Sequence, residues 1–134
     1  MTRLLPALIL LICVTACKKD NDSSSIVGKW EQTDFFDGRV AGGCFCWEPV
    51  NEIGAYQYEF KNNGSYTSTP PMYSSLAVCI GKWHIVNDST LALTNCGTTT
   101  ETLHWFKKEG KTLTIAFDIP NVHYEMKFKK VRTF

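Results

Sequence analysis

The chain of 134 residues is long enough for one domain and too short for two. Its formal charge is +1, and removing residues 1–16 takes away Arg3 and no acid, leaving basic and acidic residues balanced at 13 each. That balance excludes an electrostatic case for nucleic acid or for an anionic membrane surface, while 8 Phe, 5 Tyr and 4 Trp supply large rings for a small core.

Residues 1–16 read as a delivery signal. Arg3 gives a positive start, and Leu4 to Val14 is an apolar run interrupted only by Pro6. The run is shorter than the roughly 20 residues a spanning helix needs and fits the apolar region of a secretory signal. It ends in Val14-Thr15-Ala16-Cys17, which resembles the bacterial lipobox. That resemblance implies cleavage before Cys17 and attachment of lipid, palmitate among the acyl chains, to its sulfur. One acyl chain holds a membrane only marginally, whereas the three of a bacterial lipoprotein hold it firmly. Residues 17–25 are then the lipidated cysteine and a polar, flexible tether, KKDNDSSS. The tether resembles those of lipoproteins from Bacteroidetes-type bacteria, in which acidic residues here can mark export to the cell surface; a plain solvated linker explains it as well. The expected location is the bacterial outer membrane, on its periplasmic or cell-surface face.

Residues 26–134 are expected to form the folded domain, with Val27–Phe36 its first strand. Residues 37–54, glycine-rich and then rich in sulfur and rings (Cys44-Phe45-Cys46-Trp47), read as one long ordered flap. Tyr56–Lys61 alternates ring and polar residue, the pattern of a half-buried antiparallel strand. Asn62-Asn63-Gly64 is a hairpin turn into Ser65–Thr69, which Pro70-Pro71 ends. Leu76–Val86 is a longer strand bent at Gly81. Asn87-Asp88-Ser89 turns into Thr90–Thr94. Thr99–Lys107 and Lys111–Phe117 form a hairpin about Glu109-Gly110, and Val122–Arg132 is the last strand. No stretch has a helical period. About eight strands with short links predict an all-β, antiparallel up-and-down barrel or a related sandwich. The recurrence of Gly-Lys-Trp at 28–30 and 81–83 is either a trace of two halves or a coincidence of similar strands.

Val27-Gly28-Lys29-Trp30, Phe60-Lys61-Asn62-Asn63-Gly64-Ser65-Tyr66, Gly81-Lys82-Trp83 and Leu91-Ala92-Leu93, in this order behind a lipobox and tether, resemble the lipocalin-like domains of Bacteroidetes lipoproteins. The Cys44–Trp47 insert departs from that pattern. The resemblance implies that Trp30 closes the barrel floor, with a C-terminal basic residue lying across it and Gly28 allowing close approach. Arg132, on the face shared by Val122, Tyr124, Met126, Phe128 and Lys130, is the expected partner, a contact of about 0.5–2 kcal/mol.

Four cysteines remain beyond Cys13 and Cys17: Cys44, Cys46, Cys79 and Cys96. An even number in an oxidising compartment predicts two disulfides, and the short Cys44–Cys46 separation favours each crossing to Cys79 or Cys96. A four-cysteine zinc site is the rival. No phosphate loop, zinc-protease helix or nucleophile elbow is present. His84, His104 and His123 lie on three strands, as a metal site or as scattered histidines. Glu48, Glu52 and Glu59 are unpaired carboxylates, and Asp88-Ser89-Thr90 resembles a short O-glycosylation motif or is simply a turn. The C-terminal Phe134 is shared with outer-membrane barrels, but most strands here fall short of the roughly 9–11 residues that span a bilayer.

These residues lead to an expectation of a lipid-anchored, monomeric binding module with no enzymatic activity, cofactor or metal. A small apolar ligand would sit in the barrel mouth, lined by Phe45, Trp47, Met72 and Tyr73. The alternative is an accessory subunit of an envelope complex or a protease inhibitor, with a filled core and the flap as its contact surface.

Overall fold

The computed structural model describes residues 25–38, 45–119 and 122–132; Cys17, its tether, Cys44, Pro120 and Asn121 lie outside them. The fold is an eight-strand antiparallel up-and-down barrel with one additional strand. The strands are β1 (Gly28–Asp37), β2 (Trp47–Pro49), β3 (Gln57–Phe60), β4 (Ser65–Thr69), β5 (Cys79–Asn87), β6 (Thr90–Thr94), β7 (Glu101–Glu109), β8 (Thr112–Ile119) and β9 (Val122–Lys130). β1 closes the barrel by pairing with both β3 and β9. The segment expected to be one loop, 37–54, instead contains β2 and a 3-10 turn at Glu52–Gly54. β2 adds to β1 only at Asp34–Phe36, beyond the point where β3 stops, and Pro49 ends it because proline cannot extend the ladder.

β1 changes phase partway along. A register shift between Gln32 and Asp34 against β9 leaves one extra residue on β1, a bulge that exchanges inner and outer faces. Before it, Trp30 and Gln32 point inward and are buried. After it, Phe35 lies opposite Met126 on the inner face, and Phe36 falls on the outer face opposite Trp47. The exposed edge at this changeover is satisfied locally. Gln32 N donates to Tyr56 O (2.9 Å), Val50 N donates to Thr33 O (2.9 Å), and the buried Gln32 Oε1 accepts from Tyr56 N (3.1 Å). A buried amide with its acceptor filled in this way is tolerated where an orphan would not be.

Alternating connections define two ends. At one end lie the tight hairpins after β3, β5 and β7, the start of β1 and the finish of β9. This end is plugged: Ile26, Trp30, Leu113 and Phe128 have no exposed surface, and Phe60 has 1%. Trp30 Nε1 donates to Ile26 O at 2.7 Å, so its polar atom is paired inside the core. The cation over the Trp30 ring is Lys130, with Nζ 5.5 Å from the centroid; Arg132 is exposed. The two share a face in sequence. Lys130 is the direct cross-strand partner of Trp30 in the last pair between β1 and β9, and Arg132 lies past it. Gly28, at φ +130°, makes room: a Cβ there would stand 2.8 Å from Lys130 Cε. The second Gly-Lys-Trp is not equivalent. Trp83 stays partly exposed, donates Nε1 to Lys61 O at 3.1 Å and packs edge-on against Phe60.

The predicted bend at Gly81 marks an exchange of partners. β5 pairs with β4 from Cys79 to Lys82 and with β6 from Trp83 onward. Tyr66 fills the divergence, donating its hydroxyl to Thr94 O at 2.7 Å, and Thr94 Oγ1 accepts from Lys82 N at 2.7 Å. The Cys79–Cys96 disulfide closes the same gap, with Cα atoms 5.1 Å apart. The expected crossing of Cys44 and Cys46 to Cys79 and Cys96 is therefore incorrect. Cys79 opens β5 and Cys96 follows β6 by two residues, so strand pairing itself brings them together. Cys46 is disulfide-bonded as well.

Two outcomes are expected. A Cβ at Gly81 would lie 2.5 Å from Tyr66 Cε1 and 2.7 Å from Thr94 Oγ1, so Gly81→Ala should cost about 1–3 kcal/mol in urea unfolding. Replacing Cys79 and Cys96 together by Ser should cost about 3 kcal/mol for a bridge of this span, and a non-reduced digest should join the Cys79 and Cys96 peptides.

Candidate functional site

The second end of the barrel is gathered by the connections from β1 to β3, β4 to β5, β6 to β7 and β8 to β9. Its inner wall is aromatic. Inward positions on β7, β8 and β9 are fixed by register: His104 opposite Leu91, Phe106 opposite Ile115, and Phe117 opposite Tyr124. Their rings form a row. His104 lies 4.9 Å from Phe117, Phe117 stacks on Tyr124 at 5.9 Å and 22°, and Tyr124 lies 6.0 Å from Phe35. Tyr58, inward opposite Trp30, bridges this row to the floor through an edge contact with Phe128 at 5.4 Å. Tyr56, Tyr58, His104, Phe117, Tyr124 and Met126 all keep part of their surface exposed although they belong to the inner set. At the plugged end Trp30, Phe60, Leu113 and Phe128 keep almost none, while Trp83 and Ile85 are partly exposed. Accessible surface therefore remains on the inner rings toward the open end, here termed the cup, above a closely packed floor.

The polar atoms in the cup are held neutral. Burial pushes the Tyr58 phenol up to about 12, against the opposing hydrogen bond of Ser68, with Tyr66, Tyr56 and Tyr124 adding to the rise. Burial also raises Tyr124, with Tyr56 contributing. Burial lowers His104 below the ordinary histidine value, and a hydrogen bond with the Ala116 backbone and then the Asp118 charge offset this only in part. His104 Nδ1 is buried without a hydrogen-bond partner. An aromatic wall whose polar atoms are neutral is a surface suited to apolar molecules.

Of the residues expected to line the mouth, Phe45 and Trp47 stand on the outer wall and Met72 and Tyr73 on the rim. Trp47 packs on the outer wall against Phe36 at 5.6 Å, with Lys127 Nζ 4.0 Å above its ring. Phe45 extends the same outer cluster, 6.2 Å from Phe36, and is 69% exposed. Met72 and Tyr73 lie on the rim loop between β4 and β5, Tyr73 being 83% exposed, and Met72 N ties that loop to Ile53 O at 3.1 Å. The lining rings missed as a site were visible as the inward phases Tyr56-Tyr58-Phe60 and Tyr124-Met126-Phe128. Along the two stretches Tyr56 and Tyr124 lie toward the open end and Phe60 and Phe128 toward the floor, with Tyr58 beside Trp30.

The three histidines do not converge. His84 is on the outer face, 3.5 Å from Glu101, and among the described residues no group of three or more His, Cys, Asp or Glu is arranged to hold a metal ion. His123, also outward, lies between two carboxylates, Nδ1 2.6 Å from Asp118 Oδ1 and Nε2 3.0 Å from Glu125 Oε1. An outer groove of about 510 Å³ runs between Ile80, Lys82 and the loop at 97–99; it carries no aromatic ring.

The His123 bracket predicts a pH response. The hydrogen bonds to Asp118 and then Glu125 raise its pKa. The stabilisation should be complete below the unfolded value near 6.5 and lost as pH rises through the folded value. An NMR titration should place His123 above 6.5, and Asp118→Asn should lower it.

No protein-family model matches the chain, and searches of the curated proteins and of the solved structures likewise find no match.

Proposed function

We propose that this protein is a lipid-anchored binding module of the bacterial envelope that holds a small apolar ligand in the open end of its barrel. The observation that carries this reading is the contrast along one interior. At the plugged end Trp30, Phe60 and Phe128 are sealed, with Trp83 partly exposed at their edge, whereas at the open end Phe35, Phe117 and Tyr124 all keep accessible surface. Packing that is solid throughout would have sealed both. Small eight-strand barrels suit this arrangement because their interior has room for one small molecule once side chains stop filling it.

The anchor is Cys17, with Val14-Thr15-Ala16 as the recognition run. Ile26 is buried in the floor and β1 starts beside it, which supports attachment of an N-terminal anchor at the plugged end. Anchored there, the domain presents its cup away from the membrane that holds it. Cys17→Ala should abolish incorporation of labelled palmitate and release the protein from the membrane fraction; unchanged labelling would remove the anchor from this reading.

A second reading draws on the rim. Phe45, Ile53, Met72, Tyr73, Leu76 and Val78 are large, apolar and exposed, and no charged residue occurs between Lys61 and Lys82. Exposed apolar surface of this kind supports contact with another envelope protein.

Phenylnaphthylamine, an apolar dye that brightens out of water, separates the two. The carrier reading expects saturable brightening with one dye per protein, weakened about fivefold by Phe117→Ala and unaffected by Met72→Ser with Tyr73→Ser. Brightening that is lost with the rim variants and indifferent to Phe117 would transfer the function to the rim.

A further inference from the structure

We infer that the ligand of the open end is a planar, largely apolar molecule bearing a hydroxyl group, and that His104 is the residue that selects for that hydroxyl. The inference rests on the reading of the open end as a ligand cup and names the chemistry the cup accepts. Its starting point is His104 Nδ1, buried and without a partner. Buried polar atoms are nearly always paired, because leaving one unpaired loses its hydration with no return. His104 faces the Phe117 ring at 4.9 Å, between Leu91 across the strand pair and Phe106 two residues along, and the contact of its imidazole with the Ala116 backbone leaves Nδ1 unpaired.

The shape of the site specifies the rest of the ligand. Phe117 and Tyr124 are stacked within 22° of each other, and His104 and Phe35 extend the row at either side. Such a row offers ring faces and edges to a flat molecule at little cost in ligand ordering. Among the described residues, no lysine or arginine lies on the inner phase of β7, β8 or β9 from Phe106 to the open end. A carboxylate or phosphate there would be buried without a counter-charge, so an anion is excluded from that wall. A neutral imidazole needs a partner that either donates to or accepts from Nδ1, depending on its tautomer, and a hydroxyl does both. The residue acts as a specificity determinant: a site built to pair with a hydroxyl rejects the analogue that lacks it.

Displacement of bound phenylnaphthylamine by naphthol and by methylnaphthalene, two flat molecules of similar size, tests this. With the unmodified protein, naphthol should displace the dye at a concentration about tenfold lower than methylnaphthalene. His104→Phe should level the two by weakening naphthol alone, and His104→Gln, which restores a polar atom, should keep a preference for naphthol. Equal potency in the unmodified protein overturns the hydroxyl assignment while leaving the cup intact, and it needs no variant to fold. A preference that survives His104→Phe unchanged overturns the role of His104. Absence of dye binding overturns the cup itself, and with it the carrier reading.

Discussion

β1 is the strand on which the remaining structure depends, because it must be paired along both edges for the sheet to close. One edge belongs to β9 throughout; the other is divided between β3 and β2. A regular strand could not serve both regions. Trp30 and Gln32 are needed inside near the floor, and Phe35 is needed inside near the opening, an odd number of residues further on. The bulge at Gln32–Asp34 resolves the conflict by absorbing one residue. The same shift puts Phe36 outside, where it seats Trp47 and begins the outer cluster with Lys127. A single backbone irregularity thus settles which rings form the floor, which line the cup and which decorate the wall.

The division into a sealed end and an open end follows from where large side chains meet. At the floor, Trp30, Phe60 and Phe128 converge with Leu113 and leave no accessible surface. Burial of whole aromatic and aliphatic side chains there, each contributing about 1.5–3 kcal/mol, supplies much of the stability of a small domain. The wall is reinforced separately where it is weakest. β5 exchanges β4 for β6 at Gly81, and Tyr66, Thr94 and the Cys79–Cys96 bridge all converge on that point. With stability concentrated in the floor and in this seam, the open end is free to hold rings that are not fully packed. Binding sites characteristically sit on such a rigid scaffold.

Much of this was legible in the sequence, and the omissions share a cause. Period-two alternation gave the strands, Asn62-Asn63-Gly64 and Glu109-Gly110 gave hairpins, and the up-and-down barrel followed. β2 was not legible, because three residues carry no period. Alternation states which face a side chain occupies but not its height, so Lys130 and Arg132 were interchangeable until cross-strand register put Lys130 beside Trp30. Height is also what separates Tyr56 and Tyr124 at the open end from Phe60 and Phe128 at the floor, with Tyr58 opposite Trp30 between them. The cysteines were misassigned for a related reason. Spacing alone cannot show that the ends of β5 and β6 meet, whereas their pairing requires it. Phe45 and Trp47 drew attention as rings in a loop, yet the bulge in β1 had already committed their neighbour Phe36 to the outside.

The rim gains significance from its position relative to the floor. An exposed apolar loop such as Pro71–Val78 is a liability for an isolated soluble protein, and nothing in the pairing of β4 with β5 requires Met72, Tyr73 or Leu76 to be apolar. The loop stands at the end of the barrel opposite the entry of β1, next to an interior whose wall is ringed by Phe117, Tyr124 and Phe35. Apolar residues at that position extend the character of the cup outward over its edge. The β4–β5 connection carries no charged residue, so the rim is apolar on this side of the open end. Carrier and contact surface are, in the proposed reading, two uses of one apolar end, to which the buried nitrogen of His104 would add chemical discrimination.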